Sequence, residues 1–429
     1  MKKIFTLVLL FLTSLASHGA VRSHSLVNLN HLNKLYEDVT INYRKCGIIH
    51  IYCDYPDYKW TDAADEGITC MDDCVRAAIA YMNEYSLSKN KDCFEKAKRL
   101  TRTMMFLQSE NGFFYNFLNK DLSINKKGKT SIDEPNWWSW RAIWGLSEAY
   151  SFFKANEASF AKEIYPVLHK SIYKTIGWLD TSNTTVIING YKLPAYLPFQ
   201  TGSDQTAIIV KALIKYYSNF KDNRIKNTII RLCNGIIDMQ SGDKNVFPYY
   251  AFFSWQTSWH AWGNNQSEAL IMASNALKEK KYLKAALNEI DNFYNYLINI
   301  NYINEFEIEN KDGKPNILKH VKYSQIAYGI TPLIQACSEA YKATGNIKYA
   351  NKAFEISKWY FGGNSANATM YHVSNGGCYD GINDSLTVNK NMGAESTIEA
   401  LFAMQSLEQN NIIKLYWKSY YNKIYMKND

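Results

Sequence analysis

The sequence predicts an all-α protein, an (α/α)6 barrel (toroid) in which six helical hairpins form an inner and an outer ring. Three observations predict this fold: one type of helix recurs six times, short and long connections alternate, and charged helices alternate with less charged ones. A repeat of this length marks one structural unit that is used again and again along the chain. No Pro-, Gly- or Ser-rich linker interrupts it, so we expect one closed domain rather than two.

The recurring helix begins with polar residues and continues with small or apolar ones. Its six copies are Thr69 to Tyr85, Trp137 to Tyr150, Gly202 to Tyr217, Asn264 to Leu277, Tyr323 to Tyr341 and Gly393 to Leu407. Equivalent alanines in these copies are 65, 65, 62, 58 and 73 residues apart, at Ala77, Ala142, Ala207, Ala269, Ala327 and Ala400. A helix that is apolar nearly all round is buried, so the six copies form the inner ring.

More charged helices, such as Asp92 to Arg102 and Lys348 to Lys358, alternate with these copies and are expected to face water. Leu26 to Val39 is predicted to supply the first outer helix, and Ile412 to Tyr425 a closing helix.

The connections show which end of the toroid carries function. A short turn joins each inner helix to the outer helix that follows it. Long loops join the outer helices to the next inner helix, at 109–136, 181–201, 241–263, 301–321 and 361–392. In antiparallel hairpins all the short turns then lie at one end and all the long loops at the other. We call the long-loop end, where the inner helices begin, the mouth, and function is expected there.

Residues 1–20 have the layout of a signal peptide, with Lys2 and Lys3 before an apolar run and small residues at Ala16 and Ala20. Residues 21–429 are then a single domain, exported to the periplasm or the cell exterior as a monomer with no membrane attachment. Loss of the two lysines lowers the formal charge from +8 to +6. The remaining lysines are scattered, which argues against a nucleic-acid partner.

The eight cysteines are compatible with export, which permits disulfides. A bridge among the four cysteines from Cys46 to Cys74 is one alternative, and free thiols are the other. Cys233 and Cys337 lie within helical patterns and are predicted to be buried thiols. The Cys and His spacing does not favour a metal site, and no cofactor is expected.

Acidic and aromatic side chains are concentrated at the mouth. The candidate catalytic residues are Asp72, Asp73, Asp204, Glu268 and Glu395. The candidate substrate-binding residues are Trp137, Trp138, Arg141, Tyr249, Trp255, Trp259, His260, Trp262, Asn264 and Asp380. Aromatic rings beside acids and amides suit a carbohydrate, because rings stack on the C–H faces of sugars while polar groups bind the hydroxyls.

Each of these candidates has a structural alternative. Asp72, Asp73 and Asp204 fall in first turns of helices, where a carboxylate can cap the helix. Asp73 lies three residues before Arg76 and is expected to pair with it, which leaves Asp72 as the freer acid. His260 has the alternative of a hydrogen-bonded structural residue, and Arg141 that of an ion-pair partner for Glu134 or a cavity acid.

Three segments resemble a bacterial helical domain of the six-hairpin glycosidase superfamily, which is found alone or behind glycosyltransferase domains. The segments CMDDCVRA, NWWSWRAIWGL and NMGAESTIEAL are similar to its TDDxxRA, RALWALG and GAEST stretches. The resemblance implies the family positions Asp72, Asp73, Arg76, Arg141, Gly393, Ala394, Glu395, Ser396 and Thr397. The family often has an acidic, His-bearing segment where this chain has NWWSW, so Asp133 or Glu134 is expected to supply that group.

The leading functional prediction is a glycoside hydrolase that acts on a polysaccharide or oligosaccharide through two carboxyl groups from different inner helices. The acid nearest Asp72 or Asp73 is expected to come from across the ring, as Glu395 or Glu268. A polysaccharide lyase for uronate-containing glycans is the first alternative, with His260 or Tyr249 as base and Arg141 as the carboxylate ligand. A glycan-binding protein without catalysis is the second.

Overall fold

The computed structural model describes residues 25–62 and 66–425, so the predicted signal peptide lies outside the described residues. One 3-10 turn, Lys358–Tyr360, accompanies thirteen α-helices in this part of the chain. The helices are α1 (Asn30–Leu35), α2 (Met71–Ser88), α3 (Lys91–Phe106), α4 (Trp137–Asn156), α5 (Ala158–Trp178), α6 (Ser203–Phe220), α7 (Asn223–Asp238), α8 (Gln266–Leu277), α9 (Lys280–Asn299), α10 (Ala327–Thr344), α11 (Ile347–Ser357), α12 (Ala394–Glu408) and α13 (Asn411–Tyr425).

The even-numbered helices from α2 to α12 form a closed inner ring, because each contacts the next and α12 contacts α2. Their first turns meet at one end: Trp140 of α4 donates to Gln205 of α6 at 2.7 Å. Gln266 of α8 likewise donates to Ser203 of α6 at 3.1 Å. The odd-numbered helices from α3 to α13 form the outer ring, and the predicted (α/α)6 toroid is confirmed.

The inner ring can close because its helices present small side chains to one another. Gly145 of α4 packs directly against Val75 of α2, and a Cβ atom built there would lie 2.7 Å from a Val75 methyl carbon. Ala77, Ala142 and Ala207, three of the repeating alanines, are fully buried. The absence of long side chains at these positions lets neighbouring helices approach closely.

The prediction of an outer helix from Leu26 to Val39 is wrong. Only the six residues of α1 are helical there, and Tyr36–Ile41 pairs with Arg44–Ile49 as an antiparallel hairpin. Its turn residues Asn42 and Tyr43 both have positive φ, 49° and 61°, which matches the twist of two-residue hairpin turns. The sixth outer helix is α13, which contacts α11 and α12.

Short strands occupy the connections between helices, and every pairing among them is antiparallel. The longest sheet has the order β11-β10-β9, and the others are two-stranded. The strands are β1 (Tyr36–Ile41), β2 (Arg44–Ile49), β3 (Tyr52–Asp54), β4 (Lys59–Thr61), β5 (Thr69–Cys70), β6 (Phe117–Leu118), β7 (Thr185–Ile188), β8 (Tyr191–Pro194), β9 (Ser258–His260), β10 (Glu305–Lys311), β11 (Lys314–Val321), β12 (Tyr371–His372), β13 (Gly377–Cys378), β14 (Gly381–Ile382) and β15 (Val388–Asn389).

All eight cysteines are buried free thiols, so the alternative of a bridge among the four cysteines from Cys46 to Cys74 is wrong for this structure. The predicted burial of Cys233 and Cys337 as free thiols is confirmed, and burial raises the pKa of both. Across the described ranges, no helix has the length and apolar character that a bilayer crossing requires.

Candidate active site

Two carboxylates enter the mouth on the first turn of α2. Cys70 is the N-cap of this helix, and its sulfur accepts the backbone N–H of Asp73 at 3.4 Å. The side chains of Asp72 and Asp73 therefore do not cap α2, and both are available for contacts with neighbouring helices.

Arg76, which is almost fully buried, gathers three carboxylates from α2 and α12. Its guanidinium lies 2.7 Å from Asp73, 3.1 Å from Glu395 and 3.4 Å from Glu399. The predicted pairing of Asp73 with Arg76 is thus present. Glu395 comes from the adjacent inner helix α12, so the expectation that it would come from across the ring is wrong. We call Asp72, Asp73, Glu395 and Glu399 the acid cluster.

A second buried arginine holds the remaining acid of the cluster. Arg141 of α4 lies 3.3 Å from Asp72, measured from Nε to Oδ1, and its Nη2 donates to the hydroxyl of Tyr328. The ring of Tyr328 has Arg76 at 5.3 Å and Arg141 at 4.9 Å from its centroid. This aromatic face, opening α10, stabilises both guanidinium groups through cation–π contacts.

The acid cluster contains four carboxyl groups against two guanidinium groups, so full ionisation would leave an excess of negative charge in a buried site. Burial raises the pKa of Asp72, which the nearby Glu395 also raises while Arg141 and Arg76 lower it. Burial likewise raises the pKa of Asp73, and it raises that of Glu399 to about 7. A carboxyl group that keeps its proton near neutral pH is therefore available here.

Solvent reaches two members of the cluster. The side chains of Asp72 and Glu395 are 25% and 46% exposed, whereas those of Asp73 and Glu399 are 3% and 4% exposed. A molecule entering the mouth can touch Asp72 and Glu395, and the two buried acids set the charge behind them.

A second polar group lies where α6 begins. His260 Nε2 is 3.0 Å from Asp204, and its Nδ1 donates to the carbonyl of Trp262 at 2.7 Å. The imidazole stacks on the Trp262 ring at 3.7 Å, and Trp137 lies 5.6 Å from Trp262. Asp204 also accepts the N–H of Gln205 at 2.6 Å, so part of its role is to satisfy the helix start.

Glu268 does not join the acid cluster. It binds Lys211 at 2.8 Å and Asn265 at 3.1 Å, and Lys211 lies over the ring of Trp144 at 4.4 Å. Glu268 also lines a cavity of about 380 Å³ that opens among the carboxyl-terminal halves of the inner helices, with Glu148 and Lys342. Glu268 lies in the first turn of α8, where its carboxylate is held by Lys211 in the interior of the barrel.

Two predicted binding residues, Trp138 and Trp259, are buried in the core of this fold. Trp138 is buried and donates to the carbonyl of Phe114 at 2.8 Å. Trp259 is buried and stacks on Phe306 at 5.8 Å, because its strand β9 turns it into the core.

Three further predicted binding residues are Asn264, Tyr249 and Asp380. Asn264 is buried, and neither its Oδ1 nor its Nδ2 has a hydrogen-bond partner among the described residues. Tyr249 lies 5.3 Å from the ring of Tyr296 on outer helix α9. Asp380 accepts the N–H of Gly393 at 2.8 Å, which anchors the start of α12.

Sequence reasoning missed Glu399 and Tyr328. Glu399 follows Glu395 by four residues, one helical turn, and this spacing was a usable signal. Tyr328 carried none, since its role depends on two arginines from other helices. Asp133 and Glu134 are held within their own loop, by Asn111 at 3.0 Å and by Asn136 at 2.8 Å respectively.

Within the residues that the structure describes, no group of three or more His, Cys, Asp or Glu side chains could hold a metal ion.

No family model and no curated protein matches the sequence. The fold is similar to a sugar epimerase from a ruminal bacterium, at 13% identity over 90% of this chain and 97% of that one, with a TM-score of 0.62. A cellobiose 2-epimerase from Bacillus thermoamylovorans gives 16% identity, 90% and 96% coverage and a TM-score of 0.57. A family 76 glycoside hydrolase from a bovine Bacteroides thetaiotaomicron strain is 11% identical over 90% of this chain and 77% of that one, with a TM-score of 0.56. These likenesses support the six-hairpin architecture.

Proposed function

We propose that this protein is a glycoside hydrolase that cleaves a polysaccharide or oligosaccharide at the mouth of the toroid. The observation that carries the proposal is the pair of solvent-accessible carboxyl groups, Asp72 on α2 and Glu395 on α12, in front of two buried arginines. Hydrolysis of a glycosidic bond requires one protonated carboxyl group and one carboxylate.

Asp72 is the proposed general acid, because burial raises its pKa and solvent still reaches its side chain. It donates its proton to the leaving glycosidic oxygen as the bond to the anomeric carbon breaks. Glu395, paired with Arg76, either takes a proton from the attacking water or bonds to the anomeric carbon itself. Both routes consume one water molecule. In the first, Glu395 releases the proton of that water to solvent and Asp72 regains one from solvent; in the second, Asp72 takes the proton of the water that hydrolyses the bond to Glu395.

Aromatic side chains at the mouth support a sugar ligand. Trp137 and Trp262 lie side by side, and the partly exposed Trp262 ring is held by its stack on His260. Fixed rings of this kind offer flat apolar surfaces to the C–H faces of a sugar. Export remains part of the proposal on the basis of residues 1–20, and the free enzyme is proposed to act as a monomer.

A second candidate is a sugar epimerase or isomerase. The contact of His260 Nε2 with Asp204 favours it, because an imidazole and a carboxyl group that share a proton can exchange it with a carbon next to a carbonyl once a substrate replaces that contact. Two of the similar folds are named as sugar epimerases, which is consistent with this candidate.

Product analysis separates the candidates. We expect purified protein incubated with α-mannan, β-1,4-glucan or their oligosaccharides to release new reducing ends from at least one of them. Incorporation of deuterium from D₂O next to the carbonyl carbon of a reducing sugar, without shortening of the chain, would support the epimerase. Unsaturated chain ends from a polyuronate would support the lyase, and affinity without any turnover would support a binding protein.

A further inference from the structure

Three aromatic side chains are exposed together on the mouth side of α5 and α6. Trp178, Phe199 and Trp255 have exposed fractions of 37%, 46% and 44%. Trp178 ends outer helix α5, Phe199 lies four residues before α6 begins, and Trp255 lies in the connection from α7 to α8. We call these three side chains the outer platform. Exposed aromatic groups of this size usually mark a binding surface.

Two tight turns hold the platform. The Leu197 N–H donates to the carbonyl of Gln200 at 2.9 Å across the first turn, which places Phe199 at the tip of that turn. The Ser258 N–H donates to the carbonyl of Trp255 at 3.0 Å across the second turn.

The two turns are also bonded to each other. The Trp255 indole N–H donates to the carbonyl of Phe199 at 3.1 Å, and the Gln256 N–H donates to Thr201 Oγ1 at 2.8 Å. The Trp255 indole is therefore fixed to the turn that carries Phe199.

The backbone of both turns is strained. Phe199, Gln200 and Gln256 have φ values of 51°, 74° and 52°, in the left-handed region that side chains with a Cβ disfavour. Strain of this kind persists where the surrounding structure enforces it, and it is concentrated at functional sites. Here the strained positions are the tip that presents Phe199 and the residues beside the two rings.

The core supports the platform from below. The Trp178 ring lies 6.1 Å from Phe199 and 5.3 Å from Trp140, which is fully buried. The side chain of Gln205 fixes Trp140 by accepting its indole N–H at 2.7 Å. Exposed rings thus rest on a buried one.

One loop connects the platform to Asp204 and His260. Ser254, next to Trp255, accepts the N–H of Asp204 at 3.3 Å and that of His260 at 3.1 Å. From Trp255 the chain reaches Trp262 in seven residues, so the two tryptophans are at most about 25 Å apart along the surface.

We propose that the outer platform binds a glycan chain that extends out of the active-site cleft, so that the enzyme acts on polymers or long oligosaccharides. This inference rests on the proposed function. Rings of Trp178, Phe199 and Trp255 stack on successive sugar units, and the amides of Gln200 and Gln256 bind the hydroxyls beside them.

The test compares substrates of different length in the full chain. Phe199→Ala, Trp255→Ala and Trp178→Leu are measured beside wild type on the polysaccharide that wild type cleaves and on its shortest cleaved oligosaccharide. Leucine at position 178 keeps cover over Trp140. Tyr43→Ala is the matched control, since Tyr43 is a fully exposed aromatic residue on the β1–β2 turn. Thermal unfolding of each variant verifies its fold.

We expect kcat/KM on the polysaccharide to fall between about twofold and about tenfold per ring, the range of aromatic contacts, while the short substrate is cleaved as by wild type. Equal losses on both substrates, or none on either, would overturn the platform and leave the hydrolase proposal standing. If wild type cleaves none of the glycans, the hydrolase proposal fails, and retention on immobilised α-mannan or β-1,4-glucan decides the platform by itself. Weaker retention of Trp255→Ala than of wild type on the immobilised glycan supports glycan binding by the platform. If wild type is not retained, the platform proposal is overturned.

Discussion

Arg76 on the first inner helix and Glu399 on the last are 3.4 Å apart, and this contact joins the two ends of the inner ring. The same guanidinium holds Asp73 at 2.7 Å. A single buried cation therefore links the closure of the fold to the charge of the candidate active site. It also explains why acids that are 322 to 326 residues away along the chain, Glu395 and Glu399, share a site with Asp73.

Replacement of Asp72 tests the proposed general acid. We expect Asp72→Asn to lower kcat for glycan cleavage by a factor of about 10² to 10⁴, because the amide cannot donate the proton at the leaving oxygen. Thermal unfolding of this variant is measured as well, because Asp72 lies 3.3 Å from the buried Arg141 and the amide removes that ion pair. Asp92→Asn, in the exposed first turn of α3, is the matched control and should retain full activity. Full activity in Asp72→Asn would refute the assignment.

Removal of Arg76 should destabilise the fold. Arg76→Ala leaves Asp73 and Glu399 buried without their cation, for which we expect a loss of about 3 to 5 kcal/mol in the free energy of unfolding, measured by urea titration. Arg99→Ala removes an ion pair of 2.6 Å with Asp38 at the surface and should cost about 1 kcal/mol or less. Similar losses in both variants would contradict the role of Arg76 in ring closure.

Two neighbouring tryptophans should behave differently. Trp262 is partly exposed, so Trp262→Ala should raise KM between about twofold and about tenfold with little change in stability. Trp259 is buried, so Trp259→Ala should lower the free energy of unfolding by about 3 to 5 kcal/mol. Steady-state kinetics and denaturant unfolding on the same two variants make the comparison. An unchanged KM in Trp262→Ala would remove this ring from the binding site.

The buried carboxyl group of Glu289 should make stability depend on pH. Burial raises its pKa from 4.5 to about 7, while Ser267 and the N–H of Phe252 hydrogen-bond to it. The folded state therefore binds this proton more tightly than the unfolded state. The resulting stabilisation is fully present below pH 4.5 and is lost as the pH rises through about 7.

Glu289→Gln imitates the protonated side chain and removes this dependence. Between pH 5 and pH 8 the free energy of unfolding of the variant should rise by about 1 to 3 kcal/mol relative to that of wild type. Wild type must either ionise a buried group or keep its proton against the solvent over this range. Contributions of other titrating groups cancel in the difference between the two proteins. If the two proteins differ in free energy of unfolding by the same amount at pH 5 and at pH 8, Glu289 is not protonated in the fold.

Much of the architecture was predictable because it depends on local patterns. The recurring apolar helices and the alternation of short and long connections specify rings of hairpins without knowledge of any distant contact. The pairing of Asp73 with Arg76 was predictable for the same reason, since residues three apart share one helix face. The prediction of an outer helix from Leu26 to Val39 failed because its apolar spacing fitted both a helix and a strand. Pairing of Tyr36–Ile41 with Arg44–Ile49 stabilises the strand.

The sequence by itself determined the toroid, the end at which its acids gather, and the presence of Asp72 and Glu395 among them. Only the tertiary structure decided which acids meet: Glu395 joined Asp72, whereas Glu268 bound Lys211 in the interior of the barrel. It also decided that Trp259 is core and Trp262 is surface. The physical reason is that spacing along one helix or strand fixes the direction of a side chain, but its burial and its partners depend on neighbours that ring closure brings from elsewhere in the chain.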